Sequence, residues 1–423
     1  MSTLRTSTVL NSELESRPAA DRVAYLENRL RQTIAHAYTN SPRFRVTMDS
    51  AGLSPRDIRQ LRDLAKIPIT RKDDLPALQA EGPPFGGFTA VSTRSLRRIF
   101  MSPGNIFDPQ GQARDFWRFQ PALAAAGFRA GDIVINTFAY HMTPAGFMLD
   151  GALRSLGCVV VPSGPGQTDL QVRIASGLGA TGYVGTPSFL YTILKKAAEL
   201  RSPLQIEVAW ITAEMLPDSL RRELETDYGI RVLQGYGTAD LGMLAYECME
   251  KKGMHLHPEV IVEVLDLETQ QPVELGQPGQ VVATIFDETY PLVRFATGDL
   301  STFLPDETCP CGRTAPRLAG ILGRVGEAFK VRGMFVRGSQ MDAVMKRFPE
   351  IARYQAVITR EAHQDQLRYV VELSSAQPQH DGLRDRISAA LREELKVRGE
   401  VDLVPAGTIP QGAKKIDDQR VWK

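Results

Sequence analysis

The chain has 423 residues, a formal net charge of +1 and four cysteines. That length exceeds one ordinary core, so two or three domains are expected. The balanced charge gives no electrostatic case for nucleic acid as a partner, and no apolar run approaches the roughly 18 residues that span a bilayer. Met1 to Pro18 is polar and lacks the apolar core of a signal peptide. Four cysteines in so long a chain do not form a disulfide framework, so a reduced, cytoplasmic protein is expected.

Residues 20–38 place Val23, Leu26, Leu30, Ile34 and Ala37 at helical spacing. The stretch Arg43 to Asp74 continues as a helical cap to which no chemistry is assigned. From about residue 130 strands and helices alternate. Strands are expected at 132–137, 158–162, 183–185, 206–212 and 230–234. Helices are expected at 144–156, 169–177, 187–200 and 217–228. This alternation means an α/β fold with a parallel sheet, whose ligands bind beyond the carboxyl ends of the strands. From 257 the period becomes two. Residues 260–267 and 280–286 read as antiparallel strands of a β-subdomain spanning about 257–322, joined through Gly276-Gln-Pro-Gly279. Strands at 354–359, 367–373 and 401–404 with a helix at 382–395 form a small C-terminal α+β domain. The boundary is expected at Arg324–Glu327, dividing a large domain (1–323) from a small one (324–423).

Two segments carry most of the chemistry. Pro291-Leu-Val-Arg-Phe-Ala-Thr-Gly-Asp299 ends an apolar stretch with a lone carboxylate beside glycine, and Gly323-Arg324 opens the second. A carboxylate suits a ribose diol, because it accepts two hydroxyl hydrogen bonds. An arginine suits a phosphate, because its fork donates in parallel. Separately, Cys248 and His255 flank a turn containing Gly253, and Cys309-Pro-Cys311 is a C-x-C turn. Two such pairs can complete a Cys₃His tetrahedron for structural Zn²⁺, the alternative being four unrelated reduced side chains. Cys158 lies in an expected buried strand.

The order and separation of Asp299 and Arg324 resemble the adenylate-forming enzymes that activate carboxylic acids with ATP, and within them the phenylacetate–CoA ligase-like group. The resemblance runs from about residue 24 to the tail. It implies a large domain with parallel sheet layers, a rotating C-terminal lid, and the ligands ATP, Mg²⁺ and CoA. Tyr236-Gly237-Thr238-Ala239-Asp240 is similar to the family's Tyr-Gly-x-Ser/Thr-Glu motif. By that resemblance Tyr236 stacks on adenine, Gly237 admits the backbone to the nucleotide and Asp240 holds Mg²⁺. Ala239 stands where a hydroxyl is usual. Alone, the motif also reads as a tight turn after a strand. Glu214, ending the fourth strand, falls where the family places residues near adenine.

The phosphate loop departs most from the family. In place of a Ser/Thr/Gly run ending in lysine, the chain has Phe100-Met-Ser102-Pro-Gly104-Asn105-Ile-Phe-Asp108. Ser102, the Gly104 N–H and Asn105 could still donate to phosphate, whereas Asp108 would repel it unless turned away. The alternative is an ordinary surface loop. Lys414 or Lys415 matches the family's final lysine, with Lys414 favoured and a solvated basic tail as the alternative. His141, after the first sheet strand, is placed near the acyl pocket, where it meets the carboxylate, assists CoA or is simply structural. His257 is a possible substitute zinc ligand. Gly326 stands at the hinge.

The resulting expectation is an acid–CoA ligase working through an acyl-adenylate, the acid being of aromatic or aryl-acetic type. The rivals are an adenylating enzyme with an amine acceptor or another small anion, and a non-catalytic nucleotide-binding relative. Expected partners are a small carboxylic acid and, for an oligomer, a second copy in a homodimer. Neither nucleic acid nor membrane is expected.

Overall fold

The parallel sheet that the alternating pattern predicts is present, and one of its strands continues into an antiparallel ribbon. The computed structural model describes residues 7–267, 269–325, 328–331, 334–361, 364–374 and 382–420. Gly326 and Glu327, where the expected hinge falls, lie outside the described residues.

The N-terminal part contains helices α1 (Ser12–Glu15), α2 (Ala19–Asn40) and α3 (Pro42–Ser50), strand β1 (Thr70–Arg71) and helix α4 (Leu75–Glu81). A hairpin, β2 (Arg98–Ser102) and β3 (Ile106–Gln110), precedes helix α5 (Gln120–Ala126). The alternating region follows as β4 (Ile133–Asn136), α6 (Ala145–Ser155), β5 (Val159–Val161), α7 (Thr168–Gly177), β6 (Gly182–Gly185), α8 (Pro187–Glu199), β7 (Val208–Ile211), α9 (Asp218–Thr226) and β8 (Arg231–Thr238). Each element lies within a few residues of its sequence expectation. Strands β9 (Gly242–Glu247) and β10 (Met254–Leu256) follow, then the β-subdomain strands β11 (Val260–Leu265), β12 (Gly279–Ile285) and β13 (Phe295–Ser301), and a short β14 (Arg317–Leu318).

The main sheet has eight strands in the order β14-β10-β9-β8-β7-β6-β4-β5. From β5 to β8 the pairs are parallel. The central strands β6 and β7 are short and buried throughout, as a sheet covered on both faces requires. Val208–Ile211 is buried at every position. Strand β8 pairs with β7 through Arg231–Gln234 and then antiparallel with β9 through Gly235–Thr238. The Tyr-Gly-Thr motif therefore begins where β8 leaves the parallel sheet. The second sheet runs β1-β13-β12-β11. Its outer strand β1 comes from the N-terminal stretch, with Thr70 opposite Phe295 and Arg71 opposite Ala296. The expectation of a purely helical cap is corrected here, because part of that stretch is built into the β-subdomain sheet.

The chain divides into two compact units. The first runs through Ala213, resumes at Glu223 and ends at Gly323, and the second comprises Glu214–Arg222 and the chain from Arg324 onward. The short strand β15 (Gly323–Arg324) falls on the boundary, and the second unit contains the hairpin β16 (Ala328–Val331) and β17 (Met334–Arg337), and helix α10 (Gly338–Met345). After these come β18 (Ile351–Glu361), β19 (Gln364–Leu373), α11 (Leu383–Leu395), β20 (Glu400–Val404) and β21 (Ile416–Asp418). Its sheet order is β20-β19-β18-β21, and α10 and α11 share one core with it through Met341, Val344, Ile387 and Leu391.

Candidate active site

The carboxylate predicted for a ribose sits on a bulge. Along β13, Leu300 faces Gln280 and Ala296 faces Val282, so Thr297, Gly298 and Asp299 share the space opposite one residue of β12. Such bulges bend a strand and re-aim its side chains. Gly298 has φ +79°, a conformation that glycine adopts without a Cβ penalty. Thr297 Oγ1 donates to the Val281 carbonyl (3.1 Å) and accepts from the Asp299 N–H (3.1 Å), which fixes the bulge. Asp299 is turned toward β8, where Tyr236 Oη donates to its Oδ2 at 2.8 Å. Both residues are buried.

The rest of the motif is occupied by its own turn. Thr238 Oγ1 accepts from the Leu241 N–H (3.1 Å), and Trp117 Nε1 donates to the Ala239 carbonyl (3.1 Å). Gly237 has a packing reason to be glycine, since a Cβ there would lie 2.7 Å from the Gly242 carbonyl oxygen. Asp240 is buried and ion-paired with Lys72. Lys72 directly follows β1, so the pairing of β1 with β13 delivers this cation to the site. Sequence reasoning missed Lys72. The available signal was the basic pair Arg71-Lys72 shortly after an apolar Ile67-Pro-Ile69.

The segment read as a phosphate loop is the β2–β3 hairpin. Ser102 faces Ile106, and the intervening turn places Gly104 at φ +101° and Asn105 at φ +59°. Gln79 of α4 clamps the hairpin, accepting from the Phe107 N–H (2.8 Å) and donating to its carbonyl (2.9 Å). Strand alternation buries Phe100, Ser102, Ile106, Asp108 and Gln110 on one side and exposes Ile99, Met101 and Phe107 on the other. The segment is a hairpin with a partly exposed turn, and Asp108 points inward. Burial, with the Asp240 charge second, pushes the Asp108 carboxyl up to about 8. Asn105 is exposed, whereas Ser102 is buried beside Asp108.

The loop after β4 adjoins this hairpin, since the Met101 N–H donates to the Met142 carbonyl (2.8 Å). His141 on that loop is exposed. Asn136 Nδ2 donates to Tyr140 Oη (2.7 Å), and Tyr140 Oη donates in turn to Asp150 (3.3 Å). Burial, reinforced by the Asp150 charge, raises the Tyr140 hydroxyl and keeps it protonated. Tyr140, Phe147, Phe100 and Trp117 form a continuous run of ring contacts with centroids 5.2, 5.4 and 5.9 Å apart.

Cys248, His255, Cys309 and Cys311 do converge. Their ligand atoms all lie within 4.8 Å of one another. Cys248 Sγ is 3.6 Å from Cys309 Sγ, and Cys311 Sγ is 3.5 Å from His255 Nε2. A zinc tetrahedron with Zn–S bonds of roughly 2.3 Å has ligand–ligand edges of about this length. His255 Nδ1 lies 3.2 Å from the Ala315 carbonyl, so an Nδ1–H donated there leaves Nε2 free for a metal. His257 is not in this group. It is buried, its Nδ1 accepts from the Glu259 N–H (3.1 Å), and burial holds the ring far below the usual histidine range. Beside the cysteines, Arg313 donates to Glu15 (2.7 Å), as does Tyr246 Oη (3.0 Å), tying α1 to the Cys309–Cys311 turn. Cys158 packs in the core, as expected.

In the second unit, Lys415 Nζ lies 2.8 Å from both oxygens of Asp342, whereas Lys414 is exposed and only its carbonyl is held, by Gln355 Nε2 (2.9 Å). Arg324 lies in β15 at the edge of this unit, and Glu214 belongs to the same unit.

The AMP-binding enzyme family model matches residues 112–284, and the AMP-binding enzyme C-terminal domain matches residues 333–422. The chain belongs to the adenylate-forming, AMP-binding enzymes. Within them it belongs to the phenylacetate–CoA ligase-like group. It is 32% identical to the phenylacetate-coenzyme A ligase of Thermus thermophilus over 94% of this chain and 96% of that protein. It is 29% identical to the phenylacetate-coenzyme A ligase of Escherichia coli (strain K12), over 95% of each. Among solved structures it resembles 2-hydroxyisobutyryl-CoA ligase in complex with 2-HIB-AMP and CoA, with a TM-score of 0.88 and 26% identity over 96% of this chain and 92% of that one.

Proposed function

We propose that this chain activates a small carboxylic acid with ATP, forming an acyl-adenylate and pyrophosphate, and then transfers the acyl group to CoA. The observation that carries the reading is the Tyr236–Asp299 hydrogen bond, which joins two motif residues 63 positions apart at the end of the parallel sheet. One Asp299 oxygen accepts the tyrosine hydroxyl's hydrogen bond, and the carboxylate has further lone pairs for a ribose diol. Gly237, Thr238 and the Gly104 N–H border the nucleotide, while Ser102, Asn105, Glu214 and Arg324 complete its surroundings.

The hairpin lacks the usual lysine, and Lys72 supplies a cation on the phosphate side through its pairing with Asp240. Mg²⁺ is held at Asp240, where it neutralises phosphate charge. Lys414, exposed and unclamped, is the lysine of the small domain, residues 324–423, that serves the reacting carboxylate and α-phosphate. Lys415, clamped by Asp342, holds the tail that presents it. His141 meets the acyl carboxylate or the incoming thiol. The ring series Tyr140, Phe147, Phe100 and Trp117 favours an aromatic or aryl-acetic acid. One Zn²⁺ is held by Cys248, His255, Cys309 and Cys311 in a structural role, because four protein ligands leave no open position. Among the described residues no helix is long and apolar enough to cross a membrane. A cytoplasmic homodimer completes the reading.

A panel of acids screened by ATP-dependent AMP release, with and without CoA, tests it. Release that needs both an acid and CoA is expected. Acid-dependent release that ignores CoA but needs an amine would move the chain to an amide-forming role.

A further inference from the structure

We infer that Glu372, together with Arg353, is a positioning residue for acyl-adenylate formation: the pair fixes Ile409 by both of its backbone groups and so sets where Lys414 stands on the tail loop. The inference rests on the adenylation role given to Lys414 above, and adds to it the part of the small domain that aims the lysine.

The loop from Pro405 to Lys415 leaves the end of β20 and rejoins the sheet as β21. Residues 405–412 are exposed except for Ile409, which is buried. Two tight turns shape the loop. The Thr408 N–H donates to the Pro405 carbonyl (3.3 Å) and the Ala413 N–H to the Pro410 carbonyl (3.1 Å). Gly407 and Gly412 carry φ +86° and +84°. Such turns bend a chain but do not place it against the sheet, and a glycine-containing loop in solvent keeps much conformational freedom.

Side chains of the sheet supply the placement. Arg353 on β18 and Glu372 on β19 lie directly opposite each other, just past a register shift between Ile351 and Arg353. Glu372 also faces Val404, the last residue of β20, so it stands where the loop begins. Glu372 Oε2 accepts from the Ile409 N–H at 2.7 Å, and Arg353 Nη1 donates to the Ile409 carbonyl at 3.3 Å. Glu372 is 4% exposed. Hydrogen bonds from the Gly407 and Ile409 N–H groups hold its carboxyl below the usual carboxylate range, so an anion is kept at the base of the loop. Burial of the Ile409 side chain alone would fix one residue's depth. The two backbone bonds also fix the direction in which the chain leaves toward Lys414.

The far end of the loop is tied as well. Gln355 Nε2 donates to the Lys414 carbonyl (2.9 Å), the Ala356 N–H donates to the Lys415 carbonyl (2.8 Å), and Lys415 Nζ is held by Asp342. Between these two anchorages the backbone is set, and the Lys414 side chain projects from it into solvent. A positioned charge is worth most when its support does not move, and a misplacement of about 1 Å can cost about 10²-fold in rate. Glu372 therefore acts through Lys414 without touching the reacting atoms.

The test measures single-turnover rates of both half-reactions in the full chain, with ATP and the best acid of the screen above. Thermal unfolding establishes that each variant is folded. Glu372→Ala should slow adenylation by at least about tenfold, within the cost of a small misplacement. Conversion of supplied acyl-adenylate to the thioester should stay within about twofold of wild type, the spread of independent sites. Glu372→Gln keeps an acceptor oxygen for the Ile409 N–H and should recover most of the rate. Added to Lys414→Ala, Glu372→Ala should change adenylation by less than about twofold, because no lysine remains to be aimed. If Glu372→Ala does not fold, Arg353→Ala carries the same comparison. Wild-type adenylation in the folded variant, or full additivity with Lys414→Ala, would overturn the inference. Slowed adenylation in Lys414→Ala beside an unaffected Glu372→Ala leaves the lysine's role standing and removes only Glu372. Wild-type adenylation in Lys414→Ala removes both.

Discussion

Tyr236 Oη donates to Asp299 Oδ2 at 2.8 Å, and this bond joins the main sheet to the bulged strand of the β-subdomain. Each residue is placed by an irregularity. Strand β8 shifts register between Tyr236 and Gly237, and β13 bulges at Thr297–Asp299. The proposed nucleotide site therefore lies where two regular ladders are interrupted, which is where strand side chains can be re-aimed.

Asp299→Ala should leave the fold intact and weaken ATP binding by about 1.5–3 kcal/mol, the range for hydrogen bonds to a charged group. That corresponds to roughly a 10- to 150-fold rise in Kd. Tyr236→Phe should have a smaller effect, since it frees an Asp299 oxygen without removing it. Isothermal calorimetry decides, and unchanged ATP affinity in Asp299→Ala would remove the ribose assignment.

Lys72 and Asp240 form a buried pair, and breaking one side leaves the other charge uncompensated. Lys72→Met should destabilise the protein by about 3–5 kcal/mol, the usual penalty for an orphaned buried charge. The double variant Lys72→Met, Asp240→Asn should recover much of that stability while remaining inactive. Denaturant unfolding with single-turnover adenylation reads both effects. Full activity in the double variant would show that the pair is purely structural.

Zinc analysis of purified protein should return about one ion per chain. Cys309→Ser should lose the ion and melt at a temperature lower by at least about 5 °C, because metal binding to a preformed site adds to folding stability. The N-terminal segment should then become the first site of limited proteolysis, since Arg313 and Tyr246 hold Glu15 beside the Cys309–Cys311 turn. A metal-free protein with an unchanged melting temperature in Cys309→Ser would mean the four residues are ordinary side chains.

The two tail lysines should separate by function. Lys414→Ala should slow acyl-adenylate formation by about 10²–10³-fold, as for removal of one positioned charge-stabilising donor. It should still convert a supplied acyl-adenylate to the thioester. Lys415→Ala should act mainly by loosening the small domain, because Lys415 is engaged by Asp342. Rapid-quench measurement of each half-reaction checks this, and equal loss of both halves in Lys414→Ala would speak against the assignment.

The sequence was most legible where periodicity dictates structure. The five parallel strands and their helices follow directly from apolar runs of strand length separated by helical spacing. The cluster of Cys248, His255, Cys309 and Cys311 was legible from two close pairs, because spacing within each pair is local even though the pairs are far apart. Lys72 was not legible, because its importance comes from β1 pairing with a strand more than 200 residues later, and no local pattern reports such pairing. Asp108 was legible as an oddity, but its direction was not. Strand alternation around a three-residue turn decides whether it faces the site, and that depends on the register Ser102 adopts against Ile106. Thr238 and Gly237 were read as nucleotide contacts, and the structure gives both a prior duty within the turn.

Acid-dependent exchange of labelled pyrophosphate into ATP tests the central claim most directly, since it reports reversible acyl-adenylate formation and nothing later. The account predicts exchange that requires Mg²⁺ and an acid, proceeds without CoA, and falls by at least about tenfold at subsaturating ATP in Asp299→Ala. No exchange by the wild-type protein with any acid in a broad aromatic and aliphatic panel, or undiminished exchange in Asp299→Ala, would contradict it.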